Sequence, residues 1–181
     1  MKALANGELL KDSVIVWDVN EARELYRKGF YGKPLGIPKP KDVSFKSPLV
    51  LDLLEALYLQ RKGSLKVFST GKELTFEQLE KHASDQDEKL LEKYLVYNDL
   101  RDRGFIVLPG IKFGSDFAAY RHGPGIDHAP FIIQVKNRTG SISALEIIRA
   151  GRLATSVKKH FTIAVPSEDK VAYVMFEWWK A

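Results

Sequence analysis

Apolar and polar positions change rhythm several times along the chain. Glu8–Leu10 and Val14–Trp17 are short apolar stretches on either side of Lys11-Asp12, which predicts two strands around a turn. Asp18 stands at an N-cap position and Gly29 at a helix stop, so a helix is expected up to Lys28. Residues 31–42, YGKPLGIPKPKD, are rich in Pro and Gly and predict a loop. Ser47-Pro48 has the form of a helix start, a cap followed by Pro in the first turn. Leu51, Leu54, Ala56 and Leu57 follow at helical spacing, and Gly63 ends the run. Leu65–Phe68 predicts a short strand. Thr75 with Gln78 three residues on is a capping box, so a brief helix should open there.

A longer charged helix is expected over about Gln86 to Arg103. Leu90, Leu91, Tyr94, Leu95 and Leu100 mark its inner side, and Gly104 terminates it. The rhythm then turns to strands at Phe105–Leu108, Ile111–Phe113, Phe117–Arg121 and Phe131–Lys136. Ser143-Ala-Leu-Glu146 is a second capping box and opens a helix to about Lys159. Ile147, Ala150, Gly151, Ala154 and Val157 form its apolar stripe, while Arg152, Ser156 and Lys159 share another face. Phe161–Val165 and Val171–Trp178 close the chain as strands, joined by the turn PSEDK at 166–170. The change of pattern puts a boundary near residue 84. Residues 1–84 then form a small N-terminal α+β domain. Residues 85–181 form a C-terminal mixed β-sheet flanked by two helices, giving an α+β fold class overall.

Composition narrows the classes. A chain of 181 residues can bury a sizeable core in one larger domain or two small ones. The apolar share of 45% and charged share of 28% are those of an ordinary globular protein. No apolar run approaches a membrane span. The start MKALANGELLKDS lacks the apolar stretch of a signal peptide, so the expected compartment is the cytoplasm. The chain has no Cys, which excludes disulfide scaffolds and thiolate metal sites. A net charge of +5 is compatible with a polyanionic partner. Gln and Asn are scarce beside Lys and Glu, a bias seen in proteins from hot sources.

The candidate chemistry lies in KFGSDFAAYRHGPGIDHAPF, residues 112–131. Tyr120, His122 and His128 stand within nine residues, with a Pro-Gly segment between them. Taken singly, a strand Tyr is a packing residue, a loop His is unremarkable, and Lys158-Lys159 complements a helix C-terminus. Taken together, a phenol, an imidazole and a cation suffice for RNA cleavage without metal. The 2′-OH must lose a proton to attack the adjacent phosphate, the 5′ oxygen must gain one as it leaves, and the phosphorane carries extra negative charge. A phenol is a poor base at its ordinary pKa of ~10, so neighbouring cations must favour the phenolate.

Several stretches carry a resemblance to one family. They are GFYGKPLG and LDLLEALYLQRKGSLKV in the N-terminal part, then YNDLRDRGFIVLPGIKFGSDFAAYRHG, DHAPFIIQV and RLATSVKKHFTIAV in the C-terminal part. In these the chain resembles the archaeal tRNA-splicing endonucleases, catalytic subunit, over both halves. The resemblance implies a restriction-endonuclease-like C-terminal domain that excises introns from precursor tRNA at bulge-helix-bulge sites without a cofactor. It implies Tyr120 as general base, His128 as general acid and Lys159 as the cation at the transition state, with His122 outside the site. Arg152 matches the start of the family's helix motif and inherits the role of clamping an unpaired base by stacking. Residues 160–181 contain no Arg, so the family's second clamping Arg has no counterpart there. The resemblance also implies a homo-oligomer, or a heterotetramer with a structural subunit of the same family. Dimers would form through the C-terminal strands and pair through an acidic turn, here Glu168 and Asp169. Trp178 and Trp179 are expected to be buried, partly at a subunit contact.

Two other readings compete. Asp116 followed by Gln134-Val-Lys136 resembles a degenerate acid…Gln-x-Lys pattern of metal-dependent, restriction-type DNA nucleases, with Gln where a second carboxylate usually helps to hold Mg²⁺. A non-catalytic RNA-binding scaffold subunit of the same fold is the other, and the Tyr, His and Lys set argues against it.

Overall fold

The computed structural model describes residues 4–38, 40, 42–126, 128–167 and 170–177. The chain forms two compact units, Met1–Leu91 and Glu92–Ala181, each built on its own mixed sheet. Among the described residues no helix is long and apolar enough to cross a membrane.

The first unit holds β1 (Ala5–Leu9), β2 (Ser13–Val16), α1 (Val19–Gly29), β3 (Lys33–Pro34), β4 (Leu49–Asp52), α2 (Leu53–Arg61), β5 (Leu65–Ser69), β6 (Lys72–Glu73) and α3 (Phe76–Ser84). Its strands run in the order β3-β4-β2-β1-β5-β6, with β1 and β5 the parallel pair. Asp18 caps α1 by accepting from the backbone N–H groups of Asn20 and Glu21, and Thr75 and Gln78 form the capping box of α3.

Besides the two-residue strand β3, which lies inside the expected 31–42 loop and pairs with β4, two local expectations fail here. The helix foreseen from Ser47-Pro48 begins only at Leu53, because residues 49–52 pair as a strand with β2. Pro48 disfavours helical backbone at Ser47. Leu49 and Leu51 are fully buried on one side of the pleat. The helix start belongs instead to Asp52 and Glu55, which cap each other's backbone N–H groups reciprocally. At the end of α1 the left-handed residue is Phe30, at φ 54°, rather than Gly29. Gly29 is needed for space: a Cβ there would lie 2.7 Å from the Tyr31 ring.

The second unit continues α4 (Leu90–Asp102) into β7 (Ile106–Pro109), a single 3₁₀ turn (Ile111–Phe113), β8 (Phe117–Tyr120), β9 (Phe131–Val135), α5 (Ala144–Ser156), β10 (His160–Pro166) and β11 (Val171–Phe176). The sheet order is β11-β10-β9-β8-β7, with β9 and β10 parallel and α5 as their crossover. One face of the sheet is covered by α4, whose buried Tyr97 packs on Phe117 at 6.0 Å between ring centroids. Buried Arg101 donates to the Tyr97 hydroxyl and the Val107 carbonyl, so its charge is not left without partners. The opposite face buries Ile132, Phe161 and Ile163 against Ala154 of α5.

Ile111–Phe113 is therefore not the expected strand. Gly110 and Gly114 bracket it, Gly114 at φ 63°, and Ile111 is 83% exposed, which no core strand would tolerate. The edge strand β11 is tied to α4 by the Tyr173 hydroxyl, which donates to Asp99 Oδ2 at 2.7 Å. Arg103 holds the same carboxylate. Burial, then the bond to Asp99, pushes the Tyr173 phenol well above its ordinary range, so it stays a neutral donor. Trp178 and Trp179 lie outside the described residues.

Candidate active site

Strand register brings the singled-out residues to one end of the second sheet. Ala119 of β8 pairs with Phe131 of β9, and Phe131 pairs with His160 of β10. Tyr120, Pro130 and Lys159 each stand one residue beyond that row, so they form the next row on three adjacent strands. Side chains alternate across a sheet. Tyr120 and Lys159 therefore point to the face that carries Ala118, Ile132 and Phe161, the face covered by α5.

Lys159 arrives there by a route the helical spacing hides. The helix ends at Ser156, short of the expected Lys159. Val157 is its C-cap, and Lys158 takes the left-handed conformation at φ 54°. The N–H of Lys159 then returns to the carbonyl of Ala154, and that of Lys158 to Thr155, the bond pair of a Schellman cap. The reversal puts Lys158 in solvent and turns Lys159 inward toward the sheet. The Lys159 Nζ donates to the Ala129 carbonyl at 2.5 Å and sits 5.2 Å from the centre of the Phe113 ring. The ammonium thus rests against a carbonyl and an aromatic face.

A left-handed Lys is strained where Gly would not be. Lys158→Gly is expected to raise the thermal midpoint by the equivalent of about 0.5 kcal/mol, since relief of ~1–2 kcal/mol is partly offset by the freedom Gly gains when unfolded. Lys158→Val should lower it by at least ~1 kcal/mol, because a β-branched residue fits that backbone worst. Calorimetry on the two variants checks the cap.

His128 is the residue bonded to Ala129, so its Cα lies about 3.8 Å from that of the residue whose carbonyl holds Lys159. Its ring is solvent-exposed and makes no hydrogen bond or ion pair among the described residues. His122 is exposed just beyond the end of β8. Arg152 is exposed on α5 and has no partner among the described residues. Lys112, Arg121 and Lys158 adjoin Phe113, Tyr120 and Lys159 in the chain, so this end of the sheet is rich in cations, as a phosphate-binding surface requires. Glu168 and Asp169 lie outside the described residues.

Asp116 does something else. Its Oδ2 accepts from Gln134 Nε2 at 2.6 Å and from the Val135 N–H at 2.8 Å, and its Oδ1 is 3.8 Å from Lys93 Nζ. Lys136 pairs with Glu146 at 3.5 Å. The acid…Gln-x-Lys pattern is therefore a fastening between β8 and β9 and a surface ion pair. Among the described residues no three His, Asp or Glu side chains converge as metal ligands.

The chain matches two family models in tandem. The N-terminal domain of tRNA intron endonuclease matches residues 5–80, and its catalytic C-terminal domain matches residues 90–173, the span that holds Tyr120, His128, Arg152 and Lys159. The chain belongs to the tRNA intron endonuclease family. It is similar to the tRNA-splicing endonuclease of Hyperthermus butylicus, 45% identical over 95% of this chain and 97% of that protein. To that of Sulfurisphaera tokodaii it is 41% identical, over 96% of this chain and 98% of the other. For Sulfolobus acidocaldarius the identity is 38%, over 98% and 99%. The two matched domains fall on the two compact units, and both are mixed α+β.

Sequence reasoning missed two groups that lie against the Lys159 ammonium among the described residues, the Phe113 ring and the Ala129 carbonyl. A backbone carbonyl carries no sequence signal. Phe113 was hidden by its reading as a strand residue, although the glycines on both sides of 111–113 were the clue to a turn.

Proposed function

We propose that this chain is a tRNA-splicing endonuclease that excises introns from precursor tRNA at bulge-helix-bulge sites by attack of a 2′-OH, without metal. Tyr120 takes the 2′ proton, His128 gives one to the departing 5′ oxygen, and Lys159 stabilises the phosphorane between them. The products are a 2′,3′-cyclic phosphate and a 5′-hydroxyl. Arg152 stacks on an unpaired base. The protein works in the cytoplasm, as a homo-oligomer or beside a structural subunit of its own family, with Glu168 and Asp169 as a subunit contact.

The observation that carries this reading is the row of Tyr120, Pro130 and Lys159 at one sheet end in a member of this family, with His128 two residues from the shared row. A base, an acid and a cation at one edge answer the three demands of the reaction. The fastening role of Asp116 supports the same reading over restriction-type chemistry.

The test is incubation of the protein with a bulge-helix-bulge precursor tRNA in excess chelator. Full cleavage is expected, with cyclic phosphate on the 5′ fragment. Loss of cleavage in chelator, restored by Mg²⁺, would overturn the mechanism.

A further inference from the structure

A cavity of about 370 Å³ opens between α5 and strands β9 and β10, within the ~300–1,000 Å³ span of small-molecule sites. Phe113, Ile132 and Phe161 supply apolar surface, two of them aromatic rings, and Ala150 faces it from α5. Gln134 and Arg149 add polar groups, with Ser115 beside them. Gln134 donates to Asp116 through Nε2. A carboxylate accepts only, so the amide cannot be flipped, and its oxygen is the end left to accept a bond. Lys136 and Glu146, also at the cavity, neutralise one another, while Arg149 has no partner among the described residues. The cavity thus combines two aromatic side chains in its lining, a fixed acceptor and one uncompensated cation.

Its position defines its occupant. Phe113 is the shared wall: its ring lines the cavity and also contacts the Lys159 ammonium. Ile132 and Phe161 stand two residues along the same face from Pro130 and Lys159. Arg152, the proposed stacking residue, is not among the lining residues. We propose that this cavity seats an unpaired nucleobase one nucleotide from the scissile phosphate, as a subsite separate from Arg152. The rings stack on the base, the Gln134 amide oxygen accepts from an N–H on its edge, and Arg149 meets the adjoining phosphate. The inference rests on the RNA-cleavage reading above.

The experiment pairs a blocked cavity with a missing base. Synthetic bulge-helix-bulge RNAs are made with a single abasic residue at each unpaired position flanking the cleavage point. One of them is expected to raise the wild-type KM about tenfold, within the cost of losing one base–aromatic stack. Ala150→Phe, which fills the cavity, should raise KM on the intact RNA by a similar factor and show no further loss on that abasic RNA. Leu153→Phe, at the exposed rim, gives the same comparison should Ala150→Phe not fold. Losses that multiply, or a wild-type KM for the filled variants, overturn this inference alone. A wild-type protein that, alone and with a structural subunit of its family, cleaves neither the intact nor the abasic RNAs overturns the endonuclease reading as well.

Discussion

His128→Ala is expected to slow single-turnover cleavage by about 10²–10⁴-fold, the usual cost of losing a general acid. The fold should not change, because the His128 ring is exposed and holds no partner among the described residues. Truncation therefore opens no cavity and orphans no buried group. The effect should also be specific to the leaving group. A substrate in which sulfur replaces the bridging 5′ oxygen departs as a thiolate and needs no proton. His128→Ala should cleave that substrate within about tenfold of wild type, since only proton donation is removed. His122→Ala, a few residues away, should cost less than about threefold on either substrate, having no proton to transfer. Equal losses at His122 and His128, or no recovery with the sulfur substrate, would show that the acid has been assigned to the wrong residue.

Lys159→Ala is expected to lower kcat by about 10²–10³-fold with little change in KM, as when one donor to a developing oxyanion is removed. In the proposed mechanism the charge it meets appears only in the phosphorane. A variant that loses ground-state binding instead would raise KM at constant kcat. Lys159→Ala also leaves the Ala129 carbonyl without its donor. A stability loss of about 1 kcal/mol should accompany it, so rates are compared well below the unfolding midpoint. Lys159→Arg should recover part of kcat, since the cation returns in a different shape. Lys158→Ala should leave kcat within about threefold, because Lys158 is exposed at the helix cap and faces away from the sheet.

Legibility in the sequence followed the range of the interaction. Caps were readable because both partners lie within one turn: Asp18, Thr75 with Gln78, and Ser143 with Glu146 act as their spacing indicated. Ser47-Pro48 misled because a helix-start signal lay just ahead of a strand whose pairing with β2 decides the matter. The end of α5 misled for a different reason: Lys158 adopts a backbone that usually advertises itself with Gly. The residues of the proposed site, Tyr120, His128 and Lys159, were picked out by resemblance. Their adjacency was not readable, since it depends on an antiparallel register on one side of β9 and a parallel one on the other. Asp116 shows the converse. Its spacing to Gln134 suggested chemistry, and its hydrogen bonds reveal a fastening.

The most direct measurement replaces a single ribose in the precursor. A bulge-helix-bulge RNA with a 2′-deoxy nucleotide on the 5′ side of the cleavage point keeps its shape and every phosphate but lacks the nucleophile. Wild-type protein should bind it with an affinity within about threefold of the all-ribose RNA, since one hydroxyl contributes little to a phosphate-dominated contact. It should leave that position uncut while cutting the unmodified site, with or without chelator. Cleavage at the 2′-deoxy position, leaving a linear phosphate, would mean that water rather than the 2′-OH attacks, and the roles given to Tyr120, His128 and Lys159 would have to be abandoned.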